Sequence, residues 1–175
     1  MRNIFATRVH EREMEHLEPG SIAAVEAKDV EALGAEFVLI CCQDLRCEVL
    51  RRTNLARDEK GLNAFQNDQS LQRIAQEHAD AMSSRQREFG HGGFQDRLSK
   101  MKGFCFGAEN CHFERSCRPI ELVAQTAVAS WLNSPPHRVN MFCSAESIGV
   151  GVSRKDNTWF VSLMLGGRTE WRCLE

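Results

Sequence analysis

The chain reads as an α+β fold, with helices first and an antiparallel hairpin last. Three observations predict it. Residues 67–84 repeat apolar side chains at helical spacing. Residues 119–133 form another helical stretch, opened by Pro119, where a missing N–H costs nothing. Residues 147–166 form two apolar strands around the turn RKDN, with Ile148, Val150 and Val152 alternating along the first. Helices followed by a hairpin imply helices packed on a sheet.

The elements follow in order. Residues 1–42 read as an N-terminal extension and 43–175 as the folded domain. HEREMEHLEPGS is charged and broken by Pro19 and Gly20, a loop signature. AAVEAKDVEALGAEF has the length of a short helix but poor apolar spacing. DLRCEVLRRTNLARDEKGL, 44–62, reads as a helix ending near Gly61. In NDQSLQRIAQEHADAMSS, Asp68 is the N-cap. Leu71, Ile74, Ala75, His78, Ala79 and Met82 then share one face, which makes His78 a core histidine rather than a ligand. GHGGF leads into a short helix around FQDRLSKM. Residues 103–118, punctuated by Gly and Cys, read as an irregular loop. Pro135 and Pro136 stop the helix that Pro119 opens. Gly149 and Gly151 share a strand face, leaving room for another element to approach.

Bulk numbers exclude some functions. With 22 basic and 24 acidic side chains there is no basic stripe, and nothing favours nucleic acid. The longest apolar run, FVLICC, is too short to span a membrane. Eight cysteines are many for a reducing compartment. No C-x-x-C pair exists, which argues against a zinc ribbon or a thioredoxin-type motif. Disulfides are the natural reading, with about 105 possible pairings. Cys105, Cys111 and Cys117 crowd one loop, and Cys143 and Cys173 flank the hairpin, so each group is a candidate. The first twenty residues hold no apolar stretch of secretory-signal length. That leaves two alternatives: an intracellular thiol-rich protein, or a secreted one whose signal is missing from this chain.

Six motifs in order resemble the CAP superfamily of cysteine-rich secretory, antigen 5 and pathogenesis-related proteins, in its compact bacterial-like branch. They are NLARDEKGL, LQRIAQEHADAM, FGHGGFQDRL, GAEN, VASWLNSPPHRVNMF and IGVGV, covering about residues 46–166. The resemblance implies an α-β-α sandwich, a small antiparallel sheet between helical layers. It also implies a central cavity faced by His91, His137 and Glu109, able in some members to hold zinc. Ser134 stands where the family pattern has a second glutamate. Neutral imidazoles and a carboxylate suit zinc and leave a position open for water. Asn54 and Arg57 match the family's N-x-x-R helix and read as internal hydrogen-bonding residues.

Chemistry at those residues can be read several ways. Gly90, Gly92 and Gly93 let the backbone come close around His91, and the two prolines aim His137, with Trp131 packing beneath it. A hydrogen-bonded polar cluster joining two loops would use the same residues. His10 and His16 read as exposed, and His112 as a residue at most bordering the site. Asp96 and Arg97 read as a structural ion pair or cap. Ser134 before His137 lacks the elbow and the orienting acid of a nucleophile. The sequence thus favours a secreted, non-enzymatic CAP-domain protein acting in defence, virulence or signalling. Its cavity would take zinc, and a groove lined by Met101, Phe104 and Phe106 would take a sterol or fatty acid; its protein partner is unknown. The alternatives are a zinc-dependent hydrolase using the same cavity, and an intracellular scaffold without ligand.

Overall fold

The computed structural model describes residues 27–174. His10, His16 and the HEREMEHLEPGS stretch lie outside the described residues. The chain divides into two units, 1–36 and 37–175, and the second carries the sheet and the cleft.

Helix α1 spans Ala27–Asp58, so the two helices read around residue 40 are one element. Cys42, Leu45, Val49, Thr53 and Ala56 recur every three or four residues and are buried, giving α1 one apolar stripe. A turn follows, in which Gly61 N–H donates to Asp58 O at 2.9 Å. Then come β1 (Gln66–Asn67), α2 (Gln69–Ser83), α3 (Phe94–Ser99), β2 (Phe106–Arg115), α4 (Ile120–Asn133), α5 (Pro135–Met141), β3 (Ser147–Lys155) and β4 (Thr158–Gly167). The carboxylate of Asp68 accepts from the backbone N–H of Ser70 and Leu71, the cap that the sequence predicts.

The sheet order is β1-β3-β4-β2. The hairpin β3–β4 is antiparallel, with Lys155 opposite Thr158, and β2 pairs antiparallel with β4 from Phe106–Gly167 to Arg115–Thr158. Two expectations change here. The sheet is mixed, because β1 runs parallel to β3 for two residues. The stretch 103–118 is mostly strand rather than irregular loop. Its central residues Glu109 and Asn110 are polar yet buried, so no apolar alternation marks it.

Helical layers cover both faces. Leu45, Val49, Val123, Trp131 and Met141 pack against Ile148, Val150, Val152, Leu163 and Leu165 on one face. Leu71, Ile74, Ala75 and Met101 pack around Met164 on the other. Each fully buried aliphatic side chain contributes roughly 1.5–3 kcal/mol. On this second face α2 lies directly on β3. A Cβ at Gly149 would collide with the backbone of Leu71 and Gln72, and one at Gly151 with the backbone of Ala75 and Gln76. The glycines therefore set the helix–sheet distance. The free edge of β3 is capped by Gln76, whose side-chain amide donates to Val152 O and accepts from Val152 N–H.

Candidate functional site

Glu109 is the centre of the site. It lies mid-strand in β2 and is 5% exposed. A buried carboxylate needs a partner, and Arg97 of α3 supplies it. Arg97 Nε donates to Glu109 Oε2 at 2.6 Å and Nη2 donates to Oε1 at 2.8 Å, the bidentate geometry of a strong guanidinium–carboxylate pair. Arg97 also donates to the carbonyls of Gly92 and His91. One guanidinium thus ties the GHGG loop to the sheet. The loop can make the required turns because Gly90 and Gly93 hold φ of 132° and 74°. His91, at the loop's tip, meets Glu109 Oε1 through Nδ1 at 2.9 Å. With the carboxylate ionised, Nδ1–H is the donor, and the lone pair of that ring sits on Nε2.

His137 reaches the same place from the other layer. The sequence reading had the two prolines end a helix. They do, and they also begin the next: α4 stops at Asn133, Ser134 is extended, and Pro135–Pro136 occupy the first turn of α5. Proline forces its predecessor out of the α region and is itself preorganised for a helical start. His137 Nδ1 hydrogen-bonds Ser134 Oγ at 2.8 Å. Its carbonyl accepts from the buried Asn110 Nδ2 at 3.1 Å, and Asn140 Nδ2 donates to Asn110 Oδ1 and Glu109 O. Two asparagines therefore clamp α5 to the edge of β2. Burial pushes the His137 imidazole below its ordinary value, and the neighbouring His91 pushes it the same way. Asn110 and Asn140 escaped the sequence reading. The available signal was Asn140's place one turn beyond His137, on the same helix face.

The structure thus brings His91, Glu109 and His137 together, with the two imidazole centroids 5.7 Å apart. They line a cleft of about 310 Å³ with Phe94, Asn140 and Trp171. At a zinc–nitrogen distance of about 2 Å, two tetrahedrally disposed imidazoles would have centroids roughly 5 Å apart. Both oxygens of Glu109 are already engaged, by Arg97 and by His91.

A second group of donors lies deeper. Atoms of His78, Glu109 and Cys111 come within 4.8 Å of one another, close enough to share a metal ion. Sequence reasoning rightly put His78 in the core and missed that it faces Glu109, 3.9 Å away. Its Nε2–H donates to Gly90 O at 2.9 Å, while Nδ1 is buried without a hydrogen bond. Burial lowers the His78 imidazole's affinity for a proton, an effect that the charge of Glu109 opposes. The Cys111 thiol is pushed far up, first by burial and then by Glu109. In this trio too Glu109 is already held by Arg97.

The remaining candidates fall elsewhere. Arg97 is not paired with Asp96, which instead lies 3.7 Å from Arg87 at the surface. His112 points to Ser130 and Glu114, away from the cleft. Trp131 donates from Nε1 to Cys111 O at 3.0 Å, anchoring β2 to α4. Asn54 exchanges two hydrogen bonds with the backbone of Phe65, and Arg57 donates to the carbonyls of Asn63, Met141 and Cys143, as the sequence reading held. Met101 is buried, while Phe104 and Phe106 stack over Gly166 and Gly167. Cys105 and Cys111 are held about 20 Å apart by extended chain, at roughly 3.3 Å per residue. A disulfide between them is therefore excluded.

The model of the CAP family, the cysteine-rich secretory protein family, matches residues 50–165. Comparison with curated proteins gave no match. Among solved structures, an extracellular protein with an SCP domain from Bacillus anthracis is 26% identical with a TM-score of 0.58, over 71% of this chain and 41% of its own. This chain thus spans about two fifths of that protein. An outer surface protein of Borrelia burgdorferi is 21% identical with a TM-score of 0.56, over 69% of this chain and 90% of its own. A cysteine-rich secretory protein of Staphylococcus aureus is 21% identical with a TM-score of 0.55, over 71% and 39%; these last two likenesses show the shared fold. With the family model covering most of its length and the α-β-α sandwich in place, the chain belongs to the CAP family.

Proposed function

We propose that this chain is an extracellular CAP-domain binding protein whose cleft takes a divalent ion, zinc first, on His91 and His137. The observation that carries this reading is the paired anchoring of the two rings. Glu109 fixes Nδ1 of His91 and Ser134 fixes Nδ1 of His137, which leaves Nε2 of each to bind. Burial makes the His137 ring a weaker base, and the neutral imidazole is the form that binds an ion. A bound ion would act there as a Lewis acid toward water or a carbonyl. Hydrolysis is the weaker reading, because both oxygens of Glu109 are already engaged and, among the described residues, no second carboxylate lines the cleft. Secretion is supported by the extracellular and surface proteins that share the fold. A sterol or fatty acid remains the proposed lipid class. The surface that supports it is an open groove of about 530 Å³ on α1, where Leu50, Leu55 and Ala64 are joined by Cys47, Arg51, Asn54 and Asp58.

Zinc titration by calorimetry tests the proposal, beside a His91→Ala, His137→Ala double variant and Glu109→Gln. We expect binding in the parent, loss in the double variant, and roughly 10–100-fold weakening in Glu109→Gln. Equal binding by parent and double variant would place the ion elsewhere and overturn the assignment.

A further inference from the structure

The C-terminal tail folds back across the end of α5. Ser144 N–H donates to Arg172 O and Leu174 N–H to Phe142 O, both at 2.9 Å. Ser144 Oγ donates to Glu170 O and accepts from Arg172 N–H. These bonds flank an antiparallel bridge between Cys143 and Cys173. Because the bonds run from the neighbours of each cysteine, the two form a non-hydrogen-bonded pair. In such pairs the Cα atoms lie about 4.5 Å apart with side chains on the same side. That separation lies within the range that a disulfide spans. Both are thiols here, Cys143 fully buried and Cys173 exposed. The tail also carries Trp171, which forms one wall of the histidine cleft.

We propose that Cys143 and Cys173 are a disulfide-forming pair, and that their bond fixes the tail so that Trp171 stands as a wall of the His91–His137 cleft. The chemistry is thiol–disulfide exchange with a small-molecule or protein disulfide as oxidant. The exposed Cys173 thiolate attacks the oxidant, forming a mixed disulfide and releasing one thiol. Cys143, deprotonated as it reacts, then displaces the second thiol. Two protein thiols become one disulfide, and the oxidant is reduced to two thiols. Attack begins at Cys173 because burial, and the nearby Cys173 thiol, hold the Cys143 thiol's pKa up. None of this depends on whether the cleft binds metal.

The full chain is incubated with oxidised glutathione at pH 8, quenched with N-ethylmaleimide and digested without reduction. We expect a cross-linked pair joining the peptide 139–154 to the peptide 173–175. Alkylated Cys143 in the oxidised protein, or Cys143 joined to any other cysteine, overturns the pairing. The second arm measures carbethoxylation of His91 and His137 by diethyl pyrocarbonate. The oxidised parent is compared with Cys173→Ser, a surface change that leaves the core intact. Protection in the linked protein that the variant loses supports the tail's role as a wall. Equal rates at both histidines overturn it.

Discussion

Replacing Glu109 by Gln keeps the shape of the side chain and removes its charge. The partner left behind is Arg97, whose side chain is 7% exposed, against 1% for Glu109. Removing one member of a buried ion pair costs about 3–5 kcal/mol. Arg97 keeps its acceptor at Gly92 O, 2.9 Å away, and the new amide oxygen still accepts one bond. The low end, about 3 kcal/mol, is therefore expected. In a chain of this size that lowers Tm by roughly 6–12 °C. Urea unfolding followed by the fluorescence of the buried Trp131 and Trp159 measures it. The control is Arg97→Met with Glu109→Leu, which removes both charges. It should unfold closer to the parent than Glu109→Gln does, because no charge is stranded. A loss under about 1 kcal/mol in Glu109→Gln would refute the claim that this pair holds the GHGG loop on the sheet.

Two further outcomes follow from the same geometry. His78, His112 and His137 all bind a proton less readily when folded, burial being the first cause in each. The unfolded chain then takes up protons first as the pH falls, so this stability is complete above about pH 6.5 and is lost below it, toward the lowered folded values. Urea midpoints at pH 7.5, 6.0 and 5.0 should fall in that order, with His78→Gln reducing the slope by up to about 1.4 kcal/mol per pH unit. Gly151→Ala should cost about 3 kcal/mol or more, because the new methyl meets helix backbone rather than a movable side chain. A variant as stable as the parent would mean that α2 can lift off β3.

Much of this fold was legible in the sequence because its signals are local. Leu71, Ile74, Ala75, His78, Ala79 and Met82 share a face by spacing alone, and all are buried. The spacing of Gly149 and Gly151 announced a close approach, though only the structure names Leu71 and Ala75 as the neighbours. What stayed hidden is strand β2. Its burial is achieved with Glu109, Asn110 and Cys111, and their acceptability depends on Arg97, Asn140 and Trp131, which lie 12–30 residues away. No window of sequence contains those partners. The prolines were legible as the stop of α4, but not as the start of α5, because the same residues serve both and Ser134 is the one extended residue between the two helices.

The Arg97–Glu109 pair also explains why fold and site share residues. A buried ion pair is a poor way to gain stability, since apolar side chains of equal volume serve as well or better. What apolar side chains cannot do is accept a hydrogen bond from His91 Nδ1. Glu109 Oε1 does this at 2.9 Å while accepting from Arg97 Nη2 at 2.8 Å. Arg97, through Gly92 O and His91 O, holds the backbone that carries the same histidine. The guanidinium therefore positions the ring's attachment point, and the carboxylate positions the ring itself. On the opposite side of β2, Asn110 and Asn140 do the corresponding work for His137 with neutral amides. The charge is spent where the loop is glycine-rich and has no helix to fix it, and neutral amides suffice where α5 already does.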